Sequence, residues 1–218
     1  MSETERRFTA LPVETRAQSE LRIGGYAAVF GRMSQNLGGF VERVDSGFFN
    51  KSRGDGWPDV VARYNHDDNM LLGTTGGGTL RLRVDDTGLE YEVDLPQARG
   101  DIAELVARGD VRKSSFAFRM FEDDWDVTDQ GFPMRTLMSG QLVDVAPVNT
   151  PAYPDTSSGL RSLAAKVDAP IDEVRSAAQR NELVRFLRRS DIDGGAPKRT
   201  LAAQARMELL GRKADPWA

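Results

Sequence analysis

The sequence predicts a mainly β protein of the α+β class: a small closed or partly closed β-barrel with flanking helices and a helical C-terminal tail. Three observations carry this expectation. Two-residue alternation of apolar and polar side chains recurs between residues 20 and 150, helical spacing replaces it after Pro154, and the charge balance changes sign nearby. Residues 165–218 hold 11 Lys/Arg against 8 Asp/Glu, which leaves 18 against 25 for residues 1–164, so an acidic body meets a mildly basic tail. The organisation expected is an N-terminal segment over 1–19, a folded domain over 20–164 and a helical tail over 165–218.

The clearest element is a hairpin. Leu80, Leu82 and Val84 alternate with Arg81 and Arg83, and beyond Asp85-Asp86-Thr87-Gly88 the set Leu89, Tyr91, Val93, Leu95 alternates with Glu90, Glu92 and Asp94. One face is dry, and the wet face sets arginine opposite carboxylate. Shorter strands are expected over 21–30, 60–64, 113–121, 135–138 and 141–148. Asp101 is placed to cap a helix that buries Ile102, Leu105 and Val106 and stops at Gly109. A handful of strands with one or two helices fits a small barrel or rolled sheet. In the tail, Asp168 and Pro170 open a helix with Ile171, Val174 and Ala178 on one face. A second apolar set follows at Leu183, Val184 and Leu187. Gly194-Gly195-Ala196-Pro197 breaks the chain before a last helical piece with Leu201, Ala205, Leu209 and Leu210. Ile171, Val174, Val184 and Leu187 are expected to dock the tail on a partner.

Composition excludes several chemistries. There is no cysteine and a single histidine, so thiolate metal sites, disulfides and cysteine catalysis are absent, and a zinc site would need carboxylates almost alone. No metal and no cofactor is expected. The tail is too weakly basic, and too poor in interleaved aromatics, to predict nucleic-acid binding. No run approaches the roughly 20 apolar residues of a membrane span, and Met1-Ser-Glu-Thr-Glu-Arg-Arg lacks a secretory apolar core, so folding in cytoplasm is the expectation. Gly73-Thr74-Thr75-Gly76-Gly77-Gly78 lacks the ending of a phosphate loop and reads as a flexible connection. Asp123 to Asp129 lacks the glycine and glutamate of a calcium loop and reads as a solvated turn.

Three side chains could carry chemistry. His66, in Tyr64-Asn65-His66-Asp67, is the one imidazole available as a base near neutral pH, although a histidine at a strand end is also an ordinary structural residue. Ser115 lies in Lys113-Ser114-Ser115-Phe116-Ala117-Phe118, where alternation sets Ser115 and Ala117 on the face opposite Phe116 and Phe118. Small residues there could equally accommodate a close neighbour. Asp144 interrupts the apolar run Leu142-Val143-Asp144-Val145-Ala146, and a buried carboxylate needs a partner such as a histidine N–H.

In order and spacing, the sequence resembles the caudovirus prohead protease family, serine peptidases of tailed-phage capsid maturation related to the herpesvirus assembly proteases. The segments that carry the likeness span residues 20–160: Gly24 to Phe30, Gly39 to Val44 with Gly47-Phe48-Phe49, Asn65-His66-Asp67 with Leu72-Gly73, Gly109 to Phe118, and Leu142 to Pro154. The resemblance implies a barrel like that of the herpesvirus proteases, with His66 as general base, Ser115 as nucleophile and Asp144 as the third, orienting member. It implies a serine endopeptidase that cleaves the scaffolding region of the major capsid protein, and itself, inside the assembling prohead in host cytoplasm, with possible self-association. Asn149 to Ala152 is the stretch expected to supply oxyanion donors. The competing class is a non-catalytic capsid assembly or scaffold protein on the same fold. A small-molecule esterase lacks support because no Gly-x-Ser-x-Gly elbow occurs.

Overall fold

The computed structural model describes residues 4–17, 21–149 and 157–190. The described chain is mixed α+β and mostly strand. In order it runs β1 (Thr4–Pro12), β2 (Glu14–Ala17), β3 (Arg22–Val29), β4 (Val41–Val44), α1 (Asn50–Gly54), β5 (Val61–Arg63), a 3₁₀ turn at Tyr64–His66, and β6 (Leu71–Thr74). It continues through β7 (Leu80–Val84), β8 (Gly88–Asp94), α2 (Gly100–Arg108), β9 (Lys113–Val127), β10 (Pro133–Val148), α3 (Ser157–Lys166), α4 (Ile171–Gln179) and α5 (Val184–Ser190).

The strands form two sheets, and no closed barrel is found among the described residues. One sheet runs β1-β9-β10-β5-β6, with β4 also paired to β10; the other runs β2-β3-β8-β7. The physical reason lies in β9 and β10. They pair with each other along nearly their whole lengths, and their outer edges are taken by β1 on one side and by β4 and β5 on the other. The β2-β3-β8-β7 strands therefore make their own sheet, joined to the first by the chain through Val13 and by a single parallel bridge from Phe30 to Val44.

A shared apolar interior fixes which face of β9 points where. Phe116 and Phe118 point inward onto Phe48 and Phe49, with Phe48 edge-on to Phe118 at 5.2 Å and Phe49 edge-on to Phe116 at 5.6 Å. Leu89, Tyr91 and Val93 supply the facing wall from β8, and Ser114 bonds the Tyr91 hydroxyl at 3.0 Å. Ser115 and Ala117 are thereby left on the other face of the sheet. Two glycines admit close approach: a Cβ on Gly140 would meet the Phe48 ring at 2.3 Å, and one on Gly88 would meet the Ala28 carbonyl at 2.0 Å.

The β7–β8 hairpin has the expected register, with Arg81 opposite Glu92 and Arg83 opposite Glu90. Other elements depart from expectation. Asp101 lies in the first turn of α2, makes no cap, and follows a helix start at Gly100, because the 3₁₀ turn Gln97–Arg99 already leads the chain into the helix. The acidic run is not a turn: Asp123 to Val127 belong to β9, and Trp125 is buried against α3 and Phe40. The strands expected over 135–138 and 141–148 are one strand, β10.

Helices α3 to α5 build a second core. Leu160, Leu163, Val174, Ala177, Leu183, Phe186 and Leu187 close over Phe40 and Trp125. Val174 and Leu187 are buried here, so the face expected to dock on a partner is already used within the chain. The last helical piece expected, with Leu201 and Leu210, lies outside the described residues.

Candidate active site

The site is assembled where three elements meet on the outer face of the larger sheet. On β9 and β10, Ser115 pairs with Ala146 and Ala117 with Asp144. Ser115 and Asp144 thus sit on a diagonal of the strand pair, and the two alanines leave room above it for a ring. Register matters here. Leu142 and Asp144 are two residues apart and alternation alone would set them on one face, but a bulge at Val143 pairs Leu142 with Phe118 and Asp144 with Ala117. The bulge keeps Leu142 in the core while turning Asp144 outward.

His66 fills the space between them. It arrives from the turn after β5, where Asn65 and His66 both take the left-handed conformation, with φ of 55° and 57°. Asparagine tolerates this region; for histidine it costs about 1 kcal/mol, which the surrounding contacts must offset. Nδ1 lies 2.5 Å from Asp144 Oδ1, and Nε2 lies 2.6 Å from Ser115 Oγ. Asn65 Oδ1 accepts a bond from the Asn149 amide at 3.1 Å, which ties the turn to the end of β10. Asp67, the chain neighbour of His66, is exposed and accepts the Asn69 amide instead.

These contacts fix a protonation pattern. A carboxylate at Nδ1 favours the tautomer with its proton on Nδ1, which leaves Nε2 as acceptor for the Ser115 hydroxyl. Ser115 Oγ also lies 2.8 Å from the Arg7 carbonyl on β1. A hydroxyl has one proton, so it donates to Nε2 when the imidazole is neutral and to the Arg7 carbonyl when Nε2 is itself protonated. Ser115, His66 and Asp144 are 1%, 7% and 2% exposed, and with little water to compete each of these bonds is stronger than on the surface.

Two parts of this surrounding escaped sequence reasoning. Arg63 Nη1 stands 3.1 Å from Asp144 Oδ2, so both carboxylate oxygens have partners. Its signal was a lone cation in the short run Val60-Val61-Ala62-Arg63. The second is β1, part of the segment 1–19 for which no strand was expected. Its outer face sets Phe8 opposite Ser115, under the Lys113 ammonium. Of the stretch expected to supply oxyanion donors, Asn149 commits its amide to Asn65, and residues 150–152 lie outside those described. Among the described residues no cluster of His, Asp or Glu is arranged to hold a metal ion, and no helix is long and apolar enough to cross a membrane.

A family model, that of the caudovirus prohead serine proteases, matches residues 9–168. The chain belongs to this family. It is therefore a serine peptidase of phage capsid maturation, and the matched range contains β9, β10 and the turn that carries His66. No curated protein and no solved structure matches the chain.

Proposed function

We propose that this prohead protease works through His66, Ser115 and Asp144 as a catalytic triad. The reading rests on one observation above all, the single imidazole of the chain bridging a serine hydroxyl and a carboxylate, each through a different ring nitrogen. In acylation the Ser115 Oγ bonds to a substrate carbonyl carbon as its proton passes to His66 Nε2. Asp144 stabilises the imidazolium and holds its orientation. The scissile C–N bond then breaks, the leaving amine takes the proton from Nε2, and a water repeats the sequence to release the acyl group. The chain order of histidine, serine and acid is no obstacle, because a triad is a geometry.

The substrate in this reading is the scaffolding region of the major capsid protein, with self-cleavage in addition, inside the assembling prohead in host cytoplasm. Membership of the prohead protease family supports the capsid protein as substrate class. Kinship with the herpesvirus assembly protease fold belongs to the same proposal, supported by two packed sheets that carry the site on their outer face. Within the chain, residues 20–164 are proposed as the protease domain and residues 165–218 as a helical tail removed or retained on maturation, of which α4 and α5 pack onto Phe40 and Trp125 of that domain.

The test is active-site labelling. The full chain incubated with a fluorophosphonate should gain one adduct, which peptide mapping places on Ser115 and which Ser115→Ala removes. A folded protein that gains no adduct at Ser115 would instead be a non-catalytic assembly protein of the same fold.

A further inference from the structure

We propose that Arg63 is a positioning residue that holds Asp144 by its second carboxylate oxygen and limits how strongly that carboxylate draws a proton onto His66. This rests on the reading of His66, Ser115 and Asp144 as the catalytic groups. The geometry is specific. Asp144 Oδ1 faces the imidazole at 2.5 Å and Oδ2 faces the Arg63 guanidinium at 3.1 Å, so the carboxylate plane is pinned from both sides. Arg63 is placed by the sheet itself: β5 pairs in parallel with β10, Val61 opposite Asp144, and Arg63 lies two residues further along the same face.

The electrostatic consequence follows from burial. Asp144 is 2% exposed, and a carboxylate so far from water requires a cation in the resting enzyme, when the imidazole is neutral. Arg63 supplies it without being consumed in the reaction. During acyl transfer the same carboxylate faces two cations, Arg63 and the imidazolium, and its pull on the second is weaker for the presence of the first. Removal of the Arg63 charge would therefore strengthen the hold of Asp144 on the imidazolium. The other charged groups nearby are Asp67 and Asp68 in the following turn, Lys113 and Arg119 on β9 and Arg6 on β1, the last two exposed to water on the face of Ala117. Asp68, 3.2 Å from Arg63 and 83% exposed, is screened by water; Asp67 is exposed and bonded to Asn69; Lys113 sits over the Phe8 ring.

The experiment is the pH dependence of fluorophosphonate labelling of the full chain, from about pH 5 to about pH 9, for wild type, Arg63→Gln and Arg63→Lys. Attack of the Ser115 oxygen on phosphorus expels fluoride and sends the hydroxyl proton to His66, so the rate follows the free base. In Arg63→Gln labelling slows throughout and its acid limb moves to higher pH. The ratio of the rates at about pH 5.5 and about pH 8.5 falls a further threefold to tenfold below that of wild type, the scale of one charge removed from a partly buried site. A merely structural role predicts the opposite: a loosened Asp144 stabilises imidazolium less, and the limb moves to lower pH. An unmoved limb in folded Arg63→Gln, or one moved to lower pH, overturns the proposal. Arg63→Lys keeps it testable if the glutamine variant does not fold. With the charge retained, the limb stays at the wild-type position while the rate drops, and a limb moved upward contradicts the account. Wild type that takes no label at Ser115 defeats the triad reading itself; wild type that labels beside an unmoved Arg63→Gln limb defeats this inference alone.

Discussion

Asp144 and Asp67 are the two carboxylates that the sequence sets against the lone histidine, and they differ in every physical respect that matters. Asp144 is buried on the face of Ser115 and meets Nδ1, whereas Asp67 is exposed and turned to its own loop. Asp144→Asn keeps the shape, but its amide no longer selects the tautomer with the proton on Nδ1 and no longer carries charge to offset the imidazolium. Peptidase rate should fall by about 10³ to 10⁴, whereas Asp67→Asn should stay within about threefold of wild type. Equal losses in two equally folded variants, by labelling kinetics, would remove the distinction. The face of Ser115 was legible from strand alternation because Phe116 and Phe118 mark the core side. The bulge at Val143 was not legible, since it depends on what β9 offers opposite, and neither was the Arg63 contact, which needs the parallel pairing of β5 and β10.

At the scale of elements, β1 is the strand that sequence patterning missed. Its buried residues Glu5, Arg7 and Thr9 are polar, and the two charged ones sit in the interior with Glu42 from β4 and Arg135 from β10, where apolar alternation has nothing to detect. Arg7 bonds Glu5 at 2.8 Å and Glu42 at 2.5 Å, and Arg135 bonds Glu5 at 2.8 Å. The network pins β1 along β9 and so holds the Arg7 carbonyl against Ser115. Burial works to raise the Glu5 carboxyl, but the hydrogen bond and charge of Arg135, with the charge of Arg7, hold it below its ordinary value of 4.5. The sign follows. A carboxyl held low contributes stability fully above its unfolded value and loses that contribution as pH falls through the lowered folded one. Glu5→Gln removes a carboxylate that both arginines share while Glu42 and Asp123 still pair with them, and guanidinium unfolding at neutral pH should show a loss of about 2 kcal/mol, the scale of hydrogen bonds to charged groups. Wild type and variant should converge in stability as pH drops below 4.5, the Glu5 value in the unfolded chain. Parallel curves across that range would show that Glu5 carries no such linkage. The acidic run in β9 deceived for a related reason, because Asp123 is matched by Arg135 and Ser162 and Trp125 by α3, partners remote in sequence.

The whole molecule is two cores in series. The first lies between the sheets and fixes the faces of β9 and β10; the second clamps α3 to α5 on Phe40 and Trp125 at the far end of the same strand pair. The mixed, strand-rich class was legible from alternation, and the helical C-terminal part from its spacing. Closure was not, because whether strands make one sheet or two depends on which edges the long strands leave open. The arrangement serves the chemistry by making both partners of His66 parts of one rigid strand pair, with the imidazole delivered from a turn tied to its end. The most direct test of the central claim is cleavage of the cognate major capsid protein in coexpression, read by intact mass and N-terminal sequence, with wild type and Ser115→Ala compared at equal yield. The account predicts a capsid protein shortened by its scaffolding region with wild type and of full length with Ser115→Ala, while Ser114→Ala, whose hydroxyl faces Tyr91 in the core, still shortens it. A capsid protein trimmed at a comparable rate by folded Ser115→Ala would contradict it.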